Sequence, residues 1–176
     1  MRSRIALFIF ISLFVGTLMA KNDAQVYGYV EKVTLIDKNL TLSAKLDTGA
    51  KSASLNATNI TEIDVKGVPY LRFTVPTKDG DYVFECEYIG KVKIKVRAGE
   101  HNINTAKPAP LRRPVVLLNV KLGDKVRAIQ VNLTNRKRFI YPLLLGRDAI
   151  IDFNGAVNPA LTFTVKSVGP INNEKQ

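Results

Sequence analysis

The sequence predicts an all-β fold, a compact barrel or sandwich carrying one short helix. Three observations carry the prediction. Runs rich in β-branched and aromatic residues recur at a spacing of about 8–12 residues. Turn residues such as Asp79-Gly80 and Gly123-Asp124 punctuate them. Helical periodicity is nearly absent, so strands must supply the core.

The chain opens on something else. Arg2 and Arg4 precede an apolar run from Ile5 to Val15, and Gly16 to Ala20 leads into the polar Lys21-Asn22-Asp23. That order is the order of a secretory signal peptide with Ala20 at the cleavage edge. The apolar run is shorter than the ~20 residues a spanning helix needs, and the absence of a nearby Cys excludes a lipoprotein anchor. The expected organisation is therefore signal peptide 1–20, one domain 21–168 and a polar tail 169–176. A periplasmic or secreted location follows, with an uncleaved N-terminal anchor as the alternative. The leader holds two Arg and no acid, so its removal leaves 156 residues and lowers the net charge from +11 to +9. That length suits one domain with a genuine core.

Tyr27 to Ile36 is the first strand, by its aromatic and β-branched content, and Leu40 to Leu46 alternates apolar with polar at period two. Further strands are expected at Tyr70 to Val75, Tyr82 to Tyr88 and Lys91 to Arg97, with Asp79-Gly80 as a hairpin turn and Lys66-Gly67 suggesting an earlier one. Ala98 to Arg113 holds Gly99, Asn102, Asn104, Pro108 and Pro110 without a period, which predicts a long exposed loop. Strands resume at Pro114 to Leu122, Lys125 to Leu133 and Phe139 to Leu145. Arg147 to Ile151 is the one short helix, and Leu161 to Val168 the last strand.

Composition narrows the chemistry. With one Cys and one His, there is no internal disulfide and no HExxH or CxxC pair, so no metal site and no cofactor is expected. His101 reads as a surface residue of the long loop, and Cys86 as a small buried hydrophobe. The 26 basic residues against 15 acidic ones form clusters at Arg112-Arg113 and Arg136-Lys137-Arg138. Aromatic residues are not interleaved with them as in a stacking platform, so no nucleic-acid partner is expected. An acidic substrate, or peripheral association with an anionic envelope surface, suits the charge better.

One acid stands apart from the solvated faces and turns. Leu46-Asp47-Thr48-Gly49-Ala50 puts a carboxylate directly after an apolar strand, with a hydroxyl to lock the turn and a glycine for close backbone approach. Alone the tripeptide is an ordinary turn. About a hundred residues later comes Tyr141-Pro142-Leu143-Leu144-Leu145-Gly146-Arg147-Asp148, an apolar run ending in Gly-Arg.

Asp-Thr-Gly-Ala after one strand and hydrophobic-hydrophobic-Gly-Arg after a later one resemble the paired signature of retropepsin-like aspartic peptidases. The nearer resemblance is to a bacterial branch labelled ATP-dependent zinc proteases and since regrouped as retropepsin-like. It is carried by Gly28 to Glu31, Ala44 to Ala57, Arg113-Pro114-Val115-Val116, and Leu133-Thr134-Asn135-Arg136 through Arg147.

The resemblance implies a retropepsin-like (acid protease) β-barrel, closed or partly open. It implies an aspartic endopeptidase in which Asp47 pairs with Asp47 of a second copy, a homodimer acting on a peptide or protein substrate. Thr48 would brace the two loops across the dimer axis. Gly49 and Ala50 would line the floor under the substrate backbone. Leu144, Leu145 and Gly146 would support the loop from behind. The acid that pairs with the second-motif Arg in the viral enzymes is replaced here by Lys51, so Arg147 needs another partner. The hairpins at Lys66-Gly67 and Asp79-Gly80 and the loop after Arg97 are the candidates for a substrate-covering flap. The branch is also associated with a glutamate-adding ligase of the ATP-grasp class, which would supply acidic peptides.

The zinc and ATP labels find no chemistry in the chain. Gly49-Ala50-Lys51-Ser52 breaks the contiguous Gly-Lys-Ser of a phosphate loop. The alternative function, of a different class, is a non-catalytic β-barrel adaptor of the bacterial envelope that recognises an acidic peptide or surface.

Overall fold

The computed structural model describes residues 24–94 and 111–166. The expected signal peptide, His101 with most of its loop, and the tail 169–176 lie outside the described residues. Ten strands, one short α-helix and one turn of 3-10 helix, Ile36–Lys38, make up the regular structure of the described residues: β1 Gln25–Leu35, β2 Leu40–Leu46, β3 Ala53–Asn56, β4 Thr58–Val65, β5 Val68–Thr77, β6 Gly80–Ile94, β7 Leu111–Leu122, β8 Lys125–Thr134, β9 Leu143–Leu145, α1 Arg147–Asp152 and β10 Gly155–Thr162.

The strands run in the order β10-β1-β2-β9-β3-β8-β7-β6-β5-β4, and β7 turns back to pair with β1. Six strands therefore close a ring, β1-β2-β9-β3-β8-β7. The closing seam is short, joining Val33, Thr34 and Leu35 to Leu122, Lys121 and Val120. The all-β fold is as expected, and the ring is a partly open barrel rather than a regular one. The meander β6-β5-β4 extends from it, packed through the stacked rings of Phe73 and Phe84, 5.6 Å apart.

Alternation explains which residues fill the ring. In β2, Leu40, Leu42, Ala44 and Leu46 are buried while Thr41 is exposed and Ser43 and Lys45 are half-buried. Leu35, Leu55, Leu118, Leu133, Leu143 and Phe153 meet them from the other elements, nearly or completely inaccessible to water.

Several elements differ from the sequence reading. Tyr82–Tyr88 and the run from Lys91 are one strand, β6, because an irregularity between Tyr88 and Gly90, with Gly90 at φ +139°, absorbs the break without ending the pairing. Of Phe139 to Leu145 only Leu143–Leu145 is strand; Asn135 to Pro142 is turn and irregular chain, because Arg136 is drawn inside and its backbone N–H is taken by the Asn56 side chain. The last strand is β10, ending at Thr162, where the sequence predicted Leu161 to Val168. Parallel pairing with β1, Gln25 to Gly28 beside Gly155 to Asn158, captures that polar-looking stretch as strand. α1 and the turns at Lys66-Gly67 and Asp79-Gly80 fall where expected.

A buried carboxylate ties the end of the described chain to β1. Glu31 is fully buried, and its Oε1 accepts hydrogen bonds from the Gly28 N–H at 2.6 Å, the Thr164 N–H at 2.9 Å and the Thr164 hydroxyl at 2.6 Å. Gly28 has to be glycine, since a Cβ there would lie 2.5 Å from the Leu161 carbonyl oxygen. Charge-assisted hydrogen bonds are about twice as strong as neutral ones. Glu31→Gln is therefore expected to lower stability by about 1–3 kcal/mol, read as a lower urea midpoint at unchanged m-value.

Candidate active site

Period-two alternation carries Asp47 to the face that Lys45 occupies. One residue beyond the end of β2, its carboxylate Oδ2 lies 3.2 Å from the Lys45 ammonium and its Oδ1 accepts the Gly49 N–H at 3.0 Å. The side chains are 29 % and 45 % exposed, so this ion pair stands at the surface. Burial of Asp47 would raise its pKa, but the Lys45 ammonium and the N–H groups of Gly49 and Ala50 outweigh it, and the net shift is downward. A depressed folded pKa contributes stability that is present at neutral pH. It fades as pH falls below the ordinary aspartate range through the folded value.

The loop 47–52 is held from behind by β9. That strand runs parallel to β2, pairing Ala44, Lys45 and Leu46 with Leu143, Leu144 and Leu145, and antiparallel to β3, pairing Ser54 with Leu144. It thus lies between the two strands that flank the Asp47 loop. The Asp47 N–H donates to the Leu145 carbonyl at 2.9 Å, and the N–H groups of Arg147 and Asp148 donate to the carbonyls of Ala50 at 2.9 Å and Lys51 at 3.1 Å.

Arg147 finds its partner in the backbone. Its Nη1 donates to the Thr48 carbonyl at 3.0 Å and the Gly49 carbonyl at 3.3 Å. With Lys51 where an acid would stand, the guanidinium clamps the carbonyls of the loop itself. Gly146 makes the contact geometrically feasible, since a Cβ there would sit 2.6 Å from the Lys51 carbonyl oxygen and 2.7 Å from that of Ser52. Thr48 and Gly49 are exposed at the tip, and Ala50 is half-buried.

Two concavities border the loop. A shallow hollow of about 330 Å³ holds Tyr29, Lys45, Asp47, Thr48 and Pro159. A cleft of about 830 Å³ begins at Gly49 to Ser52 and continues across β7 and β8 to the end of β6. Val92, Lys93 and Ile94 of β6 and Arg113 of β7 line it; of the flap candidate Ala98 to Arg113, residues 98–110 lie outside the described residues. Lys66-Gly67 and Asp79-Gly80 do not line it.

Sequence reasoning missed the polar floor of this cleft. Asn132, buried on β8, donates from its amide to the Ser52 hydroxyl at 3.2 Å and the Ala53 carbonyl, and accepts from Arg113 Nη1 at 3.4 Å. The Ser54 hydroxyl is buried with no hydrogen-bond partner among the described residues. Arg136 is only 6 % exposed; its Nε donates to the Tyr141 carbonyl at 3.3 Å and its guanidinium lies 4.3 Å from the Phe139 ring centre. Burial, then the neighbouring Arg113, push the Arg136 pKa down, and the Asp47 charge opposes them. In the sequence Arg136 belongs to a basic cluster that reads as a solvated turn. Lys45 alone left a signal, standing two residues before Asp47 on a strand.

Comparison with known proteins places these features in a family. Residues 26–167 match the model of a family described as RimB-like, retropepsin-like aspartic endopeptidase RimB. A crystal structure of Lpg0085 from Legionella pneumophila, a protein of unknown function, is 74 % identical and superposes with a TM-score of 0.70, covering 81 % of this chain and 98 % of that one. Among curated proteins, one named probable alpha-L-glutamate ligase from Shewanella pealeana is 27 % identical over 136 residues, 76 % of this chain and 28 % of its own. Another of that name from Desulfotalea psychrophila is 34 % identical over 124 residues, 68 % of this chain and 25 % of its own. The chain thus spans about a quarter of the length of the curated relatives it matches.

Proposed function

The chain belongs to the RimB-like family of retropepsin-like aspartic endopeptidases, and on that premise we propose that it is an exported endopeptidase whose two Asp47 side chains meet across a homodimer. The observation that carries the reading is the build of the Asp47 loop. A single carboxylate stands at the end of β2, its loop clamped by Arg147 and β9, with Thr48 and Gly49 exposed at the tip where a second copy can meet them.

Two carboxylates brought together share one proton, because like charges at that distance cannot both ionise. The ionised one takes a proton from a water while the protonated one donates to the peptide carbonyl oxygen. The new C–O bond gives a tetrahedral diol, and its collapse breaks the C–N bond as the amine takes up a proton. Peptide and water become a carboxylic acid and an amine, with no cofactor consumed. The charge of the cleft supports an acidic peptide as substrate, and the ligase name of the longer relatives accords with that.

The test is peptide-library cleavage from about pH 3 to about pH 8, comparing the unmodified protein with Asp47→Asn. Equal cleavage by both ends the reading. A companion expectation is recovery of the protein outside the cytoplasm with Lys21 as its first residue, checked by N-terminal sequencing.

Lys45 sets where on the pH scale the pair works. Each Asp47 brings an ammonium within 3.2 Å, which favours the ionised form. Around Asp47 the other charged groups are Arg147 at the start of α1 and Arg136 after β8, with the Tyr29 phenol of β1 in the same hollow. Lys45→Met is expected to move both limbs of the pH profile of kcat/KM toward neutral, with the fold retained because the pair is exposed. An unmoved profile would separate Lys45 from the chemistry.

The Lys45–Asp47 pair also favours the second reading, a non-catalytic adaptor, since it satisfies the carboxylate within one protomer. Analytical ultracentrifugation separates the two. A strict monomer at high concentration cannot assemble an Asp47 pair.

A further inference from the structure

At Gly90 the strand β6 leaves the body of the sheet. Pairing of β5 with β6 stops at Tyr70 and Glu87, and pairing of β7 with β8 stops at Val115 and Asn132, so residues 90–94 and 111–115 pair only with each other. They form a two-stranded ribbon, unpaired on both edges among the described residues. Gly90 stands in the irregularity at its root with φ +139°, and nothing lies within 4 Å of the place a Cβ would take. The glycine serves the backbone path there and not the packing.

Period-two alternation sorts the side chains of the ribbon between its faces. Val92 opposite Arg113 and Ile94 opposite Leu111 share one face, from which Val92, Ile94 and Arg113 line the cleft. The other face carries Lys91 opposite Pro114 and Lys93 opposite Arg112, Lys93 also bordering the cleft. All three cations are exposed, and none has an ion pair or hydrogen bond among the described residues. Like charges set directly opposite each other weaken a strand pair, and no acid of either ribbon strand relieves them. Aliphatic surface lies beside the charge: Ile89, at the root, is 42 % exposed, and Leu111, where the described ribbon ends, 49 %.

We propose that this face of the ribbon, with Lys91, Lys93 and Arg112, is a docking surface for an anionic phospholipid bilayer. Three cations without counter-charges on one face match a plane of headgroup phosphates, and each basic side chain near such a plane adds to the attraction. Ile89 and Leu111 add apolar contact to charge, the two signals that surface attachment combines. A single-stranded nucleic acid would find no aromatic ring on the ribbon to stack against. Since the cleft lies on the opposite face, a docked protein holds it turned from the lipid, toward peptides at the surface. The export reading enters only in saying which bilayer the protein meets, and the endopeptidase reading is not needed for the docking.

Vesicle co-sedimentation tests it, with the chain as cells process it and vesicles of phosphatidylcholine alone or with about one-third phosphatidylglycerol. At low salt, partitioning onto the anionic vesicles is expected to exceed that onto the neutral ones by about 10-fold or more, and to fall as salt rises. Lys91→Gln together with Arg112→Gln removes two exposed charges that do not line the cleft, and lowers the partitioning about 10-fold. Lys66→Gln together with Lys78→Gln takes the same charge from two exposed turns elsewhere and lowers it about twofold or less. Leu111→Ser lowers it about twofold to fivefold through lost apolar contact. Equal binding to both kinds of vesicle, or an equal loss in the two double variants, overturns the docking face. Tighter binding to duplex DNA than to the anionic vesicles overturns it too, as does full displacement by soluble glycerol phosphate at the same phosphate concentration. Vesicle binding by a protein that cells keep in the cytoplasm ends the export reading alone, and vesicle binding without peptide cleavage ends the endopeptidase reading alone.

Discussion

Asp47→Asn is expected to lower peptide cleavage by about 10³-fold or more, with the fold intact. Asn keeps an oxygen where Oδ1 accepts the Gly49 N–H at 3.0 Å, and it gives up a surface ion pair with Lys45 that contributes little to stability. On the proposed mechanism, what it removes is the ability to hold a water as base and to pass a proton to the carbonyl oxygen. In a homodimer one substitution removes both copies, so the loss should exceed that from a single catalytic group. The measurement is kcat/KM on the best library peptide, with circular dichroism to show the fold and sedimentation to show the assembly. Mixed dimers sharpen it. If one Asp47 from each copy is needed, an excess of Asp47→Asn protein should suppress the unmodified protein as the mixed species forms, whereas an intrachain site would be indifferent to added partner.

Gly146→Ala should be nearly as severe, and for a reason no side-chain chemistry supplies. The added methyl would stand 2.6 Å from the Lys51 carbonyl oxygen and 2.7 Å from the Ser52 carbonyl oxygen. Both obstacles are backbone, and neither can swing aside as a flexible side chain would. Relief requires β9 to part from the loop. The bonds from the Arg147 and Asp148 N–H groups to the Ala50 and Lys51 carbonyls would stretch, and the Arg147 clamp on Thr48 and Gly49 would move with them. Overpacking of this kind costs about 1–3 kcal/mol or more, and a displacement of about 1 Å at a catalytic group can cost about 10²-fold in rate. Thermal melts and kcat/KM should both register the change. A variant with native stability and native activity would show that the loop does not depend on its contact with Gly146.

Much of the site was legible because its main parts are local. A period-two strand ending in Asp-Thr-Gly states in sequence where the carboxylate stands and why a tight turn follows. Leu143 to Arg147 likewise carry their own pattern, buried strand then glycine then helix start. What failed to show were residues whose role depends on elements far apart in the chain. Asn132 reads as a polar position in an alternating strand, yet β8 lies beside β3, and its amide bridges to Ser52 and Ala53 about eighty residues away. Arg136 reads as a solvated cation in a turn. Its burial comes from Asn56 and Tyr141 holding the segment inward, and this also ends the strand predicted from Phe139. Glu31 looks like the polar member of a strand and is fully buried, because the chain after β10 returns to cover it.

The sequence by itself determined the all-β class, the one short α-helix, the family to which the chain belongs and a carboxylate just past the end of β2. These are set by residue type and by spacing along one element, which short-range sterics and alternation fix. The tertiary structure decided the rest: that Arg147 clamps carbonyls where the acid is replaced by Lys51, that β9 runs between β2 and β3, and that an arginine from a surface-like cluster lies in the cleft. Those outcomes depend on which strands become neighbours. Neighbour choice follows from closing one hydrophobic ring out of six strands, a property of the whole chain that no single segment encodes.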